Sequence, residues 1–200
     1  MKHIILGLLT IATLTFVACD KNEDTTPKTF TIKSADITNV FGADNFGNAS
    51  TGGTCTGANK SPQLTWENAP SGTKSFAITM IDLNAFGPNI PFDHWLVINI
   101  PSSTTSLIKD AGNISKANLP SGSKMMPNGA YPTYVTNAEY VRAYAGVCPN
   151  VGNTNQYEIT VYALNTATLN VSDTATSSQV KTAIQAATIS STKMSVTATR

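Results

Sequence analysis

The fold is decided by two short apolar segments, SFAITMI at Ser75–Ile81 and HWLVINI at His94–Ile100. Both segments are rich in β-branched and aromatic residues and are bounded by turn residues, which is typical of central strands. A third segment, YEITVYAL at Tyr157–Leu164, first alternates between polar and apolar residues and then becomes wholly apolar. The pattern predicts one mainly β domain that contains these three strands.

The C-terminal region predicts one helix and one further strand. Apolar residues recur at helical spacing over Val180–Ala187, behind Ser177 and Ser178, either of which could cap the helix. Apolar and polar residues then alternate over Met194–Thr199, which is the spacing of a strand.

Two long segments, Ala35–Lys60 and Asp110–Pro149, are rich in Gly, Asn, Ser and Pro and predict loops. Loops of this length in a compact domain often carry binding residues. We therefore expect them to contribute to any ligand site.

The composition is nearly neutral and strongly hydrogen-bonding. The 200 residues include 13 Lys and Arg, 12 Asp and Glu, 29 Thr, 18 Asn and 17 Ser. With only 12% charged residues, the chain lacks the basic field that a nucleic-acid-binding protein uses, so no nucleic-acid partner is expected. A hydrophobic content of 41% suffices for the core of a single domain.

The first residues predict an export signal and a lipid anchor. The apolar run Ile4–Val17 is shorter than the about 20 residues that a membrane-spanning helix needs, and it is typical of a signal peptide. Cys19 follows a small residue and resembles the cysteine of a bacterial lipobox; the alternative is an ordinary signal peptide with an incidental cysteine. We predict a signal peptide over residues 1–18, a lipidated Cys19 with a flexible tether over residues 19–28, and one domain over residues 29–200.

Processing at Cys19 would leave a sparse set of reactive side chains. The loss of Lys2 and His3 would leave 12 positive and 12 negative side chains and His94 as the only histidine. Sites that need two imidazoles, such as His-Glu-x-x-His zinc proteases, are thereby excluded, and we predict no metal and no cofactor. Cys55 and Cys148 would remain as an even pair outside the cytoplasm, which favours a disulfide; two buried free thiols are the alternative.

Asp82, Asp93 and His94 form the only plausible chemical constellation in the sequence. Asp82 ends one predicted strand and His94 begins the next, so both polar groups could face one pocket if the strands lie side by side. A neighbouring aspartate favours the charged form of a histidine, which can then hold an anion such as phosphate. The alternative is a histidine bonded to the backbone and an aspartate that caps a turn.

Four segments resemble the phosphatidylethanolamine-binding protein family, in its bacterial Raf-kinase-inhibitor-like (YbhB/YbcL-type) branch. They occur in the family's order, and the C-terminal helix and strand fit the family's ending. The segments are TCTGANKSPQLTW at Thr54–Trp66, APSGTKSFAITMID at Ala69–Asp82, DHWLVINIP at Asp93–Pro101 and YAGVCP at Tyr144–Pro149.

The resemblance implies a large central β-sheet packed on a smaller sheet, with peripheral helices. It also implies a small surface cavity that binds phosphate-like or carboxylate anions without catalysis. The residues that match the family's pocket are Asp82, His94, Gly146, Cys148, Pro149 and Tyr157, while Asn155 stands where the family has a histidine.

Two departures from the family pattern remove charge from the expected pocket. The segment Asp82–Phe86 reads DLNAF where the family has Asp-Pro-Asp-Ala-Pro, and Asn155–Tyr157 reads NQY where the family has His-Arg-Tyr. A hydrogen bond to a charged group contributes about 1.5–3 kcal/mol and a neutral one about 0.5–1.5 kcal/mol. If the family histidine faces the anion, Asn155 should weaken anion binding by about 1 kcal/mol, which is roughly fivefold in affinity. The alternative is that the pocket binds a neutral polar ligand.

These observations predict a lipid-anchored binding or regulatory module of the bacterial cell envelope. Its expected partners are a small anionic or phospholipid-headgroup ligand in the pocket and a membrane reached through Cys19. The alternatives are an envelope hydrolase that uses Asp82 and His94, and a structural surface lipoprotein with a vestigial pocket.

Overall fold

The structure, a computed structural model, describes residues 28–129 and 135–200. The predicted signal peptide and the lipidated Cys19 lie outside these residues. In the described ranges the chain forms one helix, α1 (Ser177–Ala187), and eight strands: β1 (Thr31–Lys33), β2 (Leu64–Glu67), β3 (Ser75–Asp82), β4 (Phe92–Pro101), β5 (Ser106–Leu107), β6 (Lys124–Met125), β7 (Thr154–Leu164) and β8 (Thr188–Thr199). The prediction of a mainly β fold is confirmed.

The strands form two antiparallel sheets. The large sheet has the order β6-β4-β3-β7-β8, and the small sheet has the order β1-β2-β5. Leu64 and Trp66 of the small sheet share one hydrophobic core with Phe76 and Ile78 of the large sheet. The large sheet packed on a smaller one is therefore present, as the resemblance implies.

The central strands β3 and β4 are buried almost throughout because both faces of the large sheet are covered. On the face away from the small sheet, Ala77, Leu96 and Ile98 share a second core with Val180 and Ile184 of α1. Burial on both faces explains why apolar residues predominate in these segments without alternating regularly with polar ones.

The helix α1 is capped one residue earlier than the sequence suggested. Thr176 is the N-cap residue and forms a capping box with Gln179, whereas Ser177 and Ser178 are the first helical residues. Thr176 is the favoured cap because a glutamine stands three residues after it and bonds back to its backbone.

An ion pair connects the helix to β4. The Nζ of Lys181 lies 2.7 and 2.9 Å from the two carboxylate oxygens of Asp93. None of the helices in residues 28–129 and 135–200 has the length and apolar character needed to cross a membrane.

The last strand is longer than its sequence pattern predicted. Only Val196 and Ala198 of β8 are buried, and the first half of the strand carries mainly polar residues at the edge of the large sheet. Because the first half of β8 has no buried positions, its sequence shows no alternation of apolar and polar residues. This half is a strand because its backbone pairs with β7.

The predicted long loops contain short ordered elements. Three 3₁₀ turns lie at Ala43–Asn45, Ala49–Thr51 and Ala138–Arg142, and β6 interrupts the second loop. Phe46 and Val147 form an isolated parallel bridge between the two loops, which brings them together beside the ends of β3 and β4.

Candidate functional site

The candidate site lies at the edge of the large sheet where β3 ends and β4 begins. Asp82 is the last residue of β3 and pairs with Phe92 on one side and Tyr157 on the other. A register shift in the β3–β4 ladder leaves His94 as an extra residue between two paired positions. Such bulges recur beside functional sites because they redirect a side chain.

The Asp82 carboxylate is almost completely buried and is held at both oxygens. Its Oδ1 accepts a hydrogen bond from the backbone N–H of Asn84 at 2.9 Å, and its Oδ2 accepts one from Asn155 Nδ2 at 2.7 Å. The Asn84 side chain in turn accepts from the backbone N–H of Gln156 at 2.9 Å, which ties the connection after β3 to β7. The two amides therefore fix the carboxylate without adding charge.

His94 is buried and is fixed through one ring nitrogen. Its Nδ1 lies 2.5 Å from the carbonyl oxygen of Ala145, and because a carbonyl only accepts, Nδ1 carries the proton. In the neutral ring Nε2 is then an acceptor, and it lies 4.0 Å from Asp82 Oδ2, too far for a hydrogen bond. Burial lowers the pKa of His94, against the opposing effects of the Ala145 carbonyl and the carboxylates of Asp82 and Asp93.

Tyr157 supports the site from beneath. Its ring makes an edge-to-face contact with His94 at a centroid distance of 5.3 Å and another with Phe41 at 5.3 Å. The hydroxyl is buried without a hydrogen bond of ordinary geometry, although Asp82 and Asn155 are near enough to affect it. Burial, followed by the Asp82 carboxylate, raises the pKa of Tyr157, so the phenol stays protonated.

A cavity of about 350 Å³ opens above these side chains. Its polar floor is formed by Asp82, His94 and Asn155, and one wall is apolar, with Ala85, Phe86 and Phe92. The remaining lining comes from the two long loops, with Thr51, Gly52, Gly53, Ala145, Gly146 and Cys148, and from Asn150 just after the second loop. The expectation that both loops contribute to the site therefore holds in the structure.

The loop walls are held together by close backbone contacts. A Cβ at Gly146 would lie 2.3 Å from the backbone nitrogen of Gly47, so this approach requires glycine. Asn59 accepts from the Gly146 N–H at 2.7 Å and donates to the Tyr144 carbonyl at 3.2 Å. The segment Thr54–Trp66, which contains Asn59, therefore positions the rim without lining the cavity.

The structure joins Cys55 and Cys148 in a disulfide, with their Cα atoms 5.8 Å apart. Arg200 lies beside it, with Nη1 3.6 Å from Cys148 Sγ, and the same side chain donates to the carbonyl of Thr54 at 2.9 Å. Since Cys148 lines the cavity, this guanidinium stands directly behind the rim.

The cavity lining is poor in charge. Asp82 is the only carboxylate among the described lining residues, and none of these residues is Lys or Arg. Burial lowers the pKa of His94, which favours its neutral form. The described residues contain no group of three or more His, Cys, Asp or Glu side chains arranged to hold a metal ion.

The structure gathers most of the sequence-predicted site residues on the cavity. Five of them line it: Asp82, His94, Gly146, Cys148 and Asn155. Two do not, because Pro149 is buried behind the rim and Tyr157 lies under the floor. Asn155 also differs from expectation in detail, since its amide donates to Asp82 rather than standing free for an anion.

Sequence reasoning missed the apolar wall and the first-loop rim. Phe86 lies in the segment Asp82–Phe86, which differs from the family motif. The sequence shows that this segment lacks the motif's second acid, and it also places an aromatic ring where the motif has a proline. The rim residues Thr51–Gly53 precede Cys55 directly, so a disulfide to Cys148 was the signal that could have placed them beside the cavity.

Comparisons with known proteins agree with this geometry. The family model of the phosphatidylethanolamine-binding protein matches residues 38–199. The UPF0098 protein YbcL of Escherichia coli is 38% identical over 117 residues, which are 56% of this chain and 56% of YbcL. The UPF0098 protein YbhB of the same organism is 34% identical over 128 residues, which are 62% of this chain and 72% of YbhB.

Solved structures show the same fold. The crystal structure of E. coli YbcL, a member of the mammalian PEBP family, superimposes with a TM-score of 0.74 at 28% identity and covers 86% of this chain and 98% of that one. The putative PEBP homologue CT736 from Chlamydia trachomatis has a TM-score of 0.60 at 19% identity, over 84% of this chain and 95% of that one, and supports the fold alone. The chain therefore belongs to the phosphatidylethanolamine-binding protein family, in its YbhB/YbcL branch.

Proposed function

We propose that this protein is a non-catalytic binding module whose cavity takes a small phosphate-like anion, either free phosphate or a phospho-headgroup. Family membership supports a binding or regulatory role, and His94 on the cavity floor is the observation that carries the finer proposal. Its ring is fixed through Nδ1, so Nε2 is the atom available to a ligand.

A bare anion meets an obstacle at this floor, because the Asp82 carboxylate would repel it. One proton added at His94 Nε2 converts the pair into an imidazolium beside a carboxylate, with no net charge and one charge-assisted donor. The proton comes from solvent. Anion binding is therefore expected to take up about one proton and to strengthen as the pH falls.

Arg200 supports the same proposal from behind the rim. Its guanidinium is anchored by Thr54 and lies against Cys148, so it adds positive potential at the cavity without entering it. A charge in this position acts through the medium rather than by contact. Arg200→Gln is expected to weaken anion binding by less than His94→Gln does.

Calorimetric titration with phosphate and phosphoethanolamine tests the proposal. Measurements in two buffers of different ionisation enthalpy give the number of protons taken up, and His94→Gln should abolish both the uptake and most of the affinity. Thr168→Ala is a surface control, since Thr168 is exposed and does not line the cavity. Submillimolar binding that survives His94→Ala would remove His94 from its assigned role.

A hydrolase that uses Asp82 and His94 is the alternative in a different class. Among the described lining residues, the Thr51 hydroxyl donates to the Asn48 carbonyl at 3.0 Å and Cys148 is held in the disulfide, so neither is a free nucleophile. A panel of esterase and phosphatase substrates distinguishes the two functions. Turnover that is lost in His94→Ala would favour the enzyme.

The proposal also places the module at the bacterial cell envelope through a lipid on Cys19. Its support is the leader pattern of residues 1–18 and the small residue before the cysteine. Metabolic labelling with a palmitate analogue should modify the wild-type chain and not Cys19→Ser. Label in neither chain would refute the lipid anchor.

A further inference from the structure

The outer side of β8 is a strand edge with a short covered end. β8 is the last strand of the large sheet, so β7 pairs with only one of its two sides. At the covered end, the Phe41 N–H donates to the Thr197 carbonyl and the Thr197 N–H donates to the Asn39 carbonyl, both at 2.9 Å. The backbone N–H and C=O of Thr197 therefore point away from β7.

Three further residues of β8 direct their backbone groups the same way. The direction of the backbone groups alternates along an antiparallel strand, so Ser195, Lys193 and Ser191 share the orientation of Thr197. Their side chains are exposed. Within residues 28–129 and 135–200, the backbone of residues 190–195 forms hydrogen bonds to no segment other than β7. A row of unpaired N–H and C=O groups is a template for pairing with another strand.

The edge lacks the usual protection against such pairing. A lysine on an edge strand discourages pairing when its charge extends beyond the edge, and Lys193 is the only charged residue of β8. Its Nζ lies 2.7 Å from Glu158 Oε2 on β7, so the side chain turns inward across the sheet and its charge is matched. β8 also contains no proline and no glycine, and it is rich in β-branched residues, which favours strand pairing.

A second copy of the chain fits this edge in one register. The open stretch begins at Ile189, next to the end of α1, and ends at Ser195, next to the covered Thr197. Antiparallel pairing about a two-fold axis at Thr192 places these two ends opposite each other and uses the whole stretch. Thr192 then faces its own equivalent in the second copy, which is a favourable cross-strand pair.

The neighbouring registers are less favourable. A two-fold axis at Lys193 would place two lysines directly opposite each other, and like charges in that position destabilise a sheet. An axis at Met194 would place Ser191 opposite Thr197, whose outward backbone groups are already bonded to the segment around Val40. With the axis at Thr192, each Lys193 faces the small side chain of Ser191 instead.

We infer that β8 pairs with β8 of a second copy in the register centred on Thr192, which joins two five-stranded sheets into one antiparallel sheet of ten strands. The interface consists of main-chain hydrogen bonds between short stretches with small side chains, so the dimer is of the weak, transient class. The inference depends neither on the ligand of the cavity nor on the lipid at Cys19.

Sedimentation velocity tests the dimer on the chain with Cys19→Ser, which should shift from monomer to dimer as its concentration approaches about 1 mM. Ser191→Lys places a lysine opposite Lys193 twice in each dimer and should weaken dimerisation about tenfold. Thr199→Lys adds the same charge at an exposed position of β8 outside the open stretch and should leave dimerisation unchanged. A thermal melt checks that both variants are folded. A monomer at every concentration, or a dimer that Ser191→Lys does not weaken, overturns the inference.

Disulfide trapping in the Cys19→Ser background tests the register, since Cys55 and Cys148 are already joined. Antiparallel residues that face each other without exchanging hydrogen bonds have Cα atoms about 4.5 Å apart, which a disulfide can span. Thr192→Cys should therefore form a covalent dimer under mild oxidation. Ser191→Cys is the matched control and should not, because Ser191 faces Lys193 rather than its own equivalent. No covalent dimer from Thr192→Cys, or an equal yield from Ser191→Cys, overturns the register.

Discussion

Removal of the Asn155 side chain should destabilise the fold through Asp82. Asn155 Nδ2 is the side-chain donor to Asp82 Oδ2, at 2.7 Å, and the two residues are only 6% and 2% exposed. In Asn155→Ala one oxygen of a buried carboxylate loses its partner. A hydrogen bond to a charged group contributes about 1.5–3 kcal/mol, and water that enters from the cavity recovers part of it.

We therefore expect Asn155→Ala to lower the free energy of unfolding by about 2 kcal/mol, or the melting temperature by roughly 4–8 °C for a domain of this size. Asn155→Asp should cost more at neutral pH, because it places a second carboxylate against Asp82, and should recover stability on acidification. Asn153→Ala, an exposed asparagine two positions earlier, is the matched control and should change little.

Urea denaturation followed by tryptophan fluorescence measures these differences, since Trp66 and Trp95 are both buried. A double-mutant cycle with Asp82→Asn isolates the coupling between the two side chains. A loss below about 0.5 kcal/mol in Asn155→Ala, within the range of ordinary surface substitutions, would refute the role given to this amide. An Asn155→Asp variant whose free energy of unfolding does not change with pH would refute this role as well.

Three further outcomes follow from the site. Replacement of Cys55 and Cys148 by serine removes a crosslink between residues 93 positions apart and should cost about 4 kcal/mol in urea denaturation, with no added effect of reductant on the variant. Gly146→Ala should cost about 1–3 kcal/mol through its backbone clash, while Gly42→Ala, where a Cβ meets nothing within 4 Å, should be nearly neutral in the same assay. Because burial holds the pKa of His94 below 6.5, the unfolded chain takes up its proton first, so stability should fall as the pH drops below about 6.5, by at most about 1.4 kcal/mol per pH unit; His94→Gln should lack this slope, and phosphate should flatten it in the wild type.

The central strands could be predicted from the sequence because buried strands have a recognisable apolar composition. β3 and β4 are covered on both faces, so almost every residue in them is buried and apolar residues point to both sides of the sheet. The short strands β5 and β6 have two residues each, and no periodicity can be detected over that length. Their existence depends on pairing with β2 and β4, which are distant in sequence.

The sequence predicts which residues form the site, but it does not predict the hydrogen bonds between them. Asp82 and His94 stand at strand ends, which the sequence shows, and both of the interpretations left open for them hold in part. His94 is bonded to the backbone and Asp82 receives the turn N–H of Asn84, as the structural alternative states, yet both line the cavity. The aim of Asn155 toward Asp82 depends on the register of β7 against β3, which no local pattern reports.

The two departures from the family pattern have a common physical effect. Asn84 and Asn155 stand where the family pattern has charged or ionisable groups. Asn155 donates to Asp82 through its side chain, whereas Asn84 donates to Asp82 through its backbone N–H and accepts from the Gln156 backbone with its side chain. A buried carboxylate costs stability unless it is fully hydrogen-bonded, and an apolar residue in its place would cost nothing of this kind. A pocket without use has no reason to keep such a group, whereas this chain keeps Asp82 with both oxygens satisfied under an open cavity. That arrangement supports the proposed binding site over a vestigial one, and the proposal assigns to His94, the lining group whose protonation would add a donor, the coupling between ligand binding and protonation.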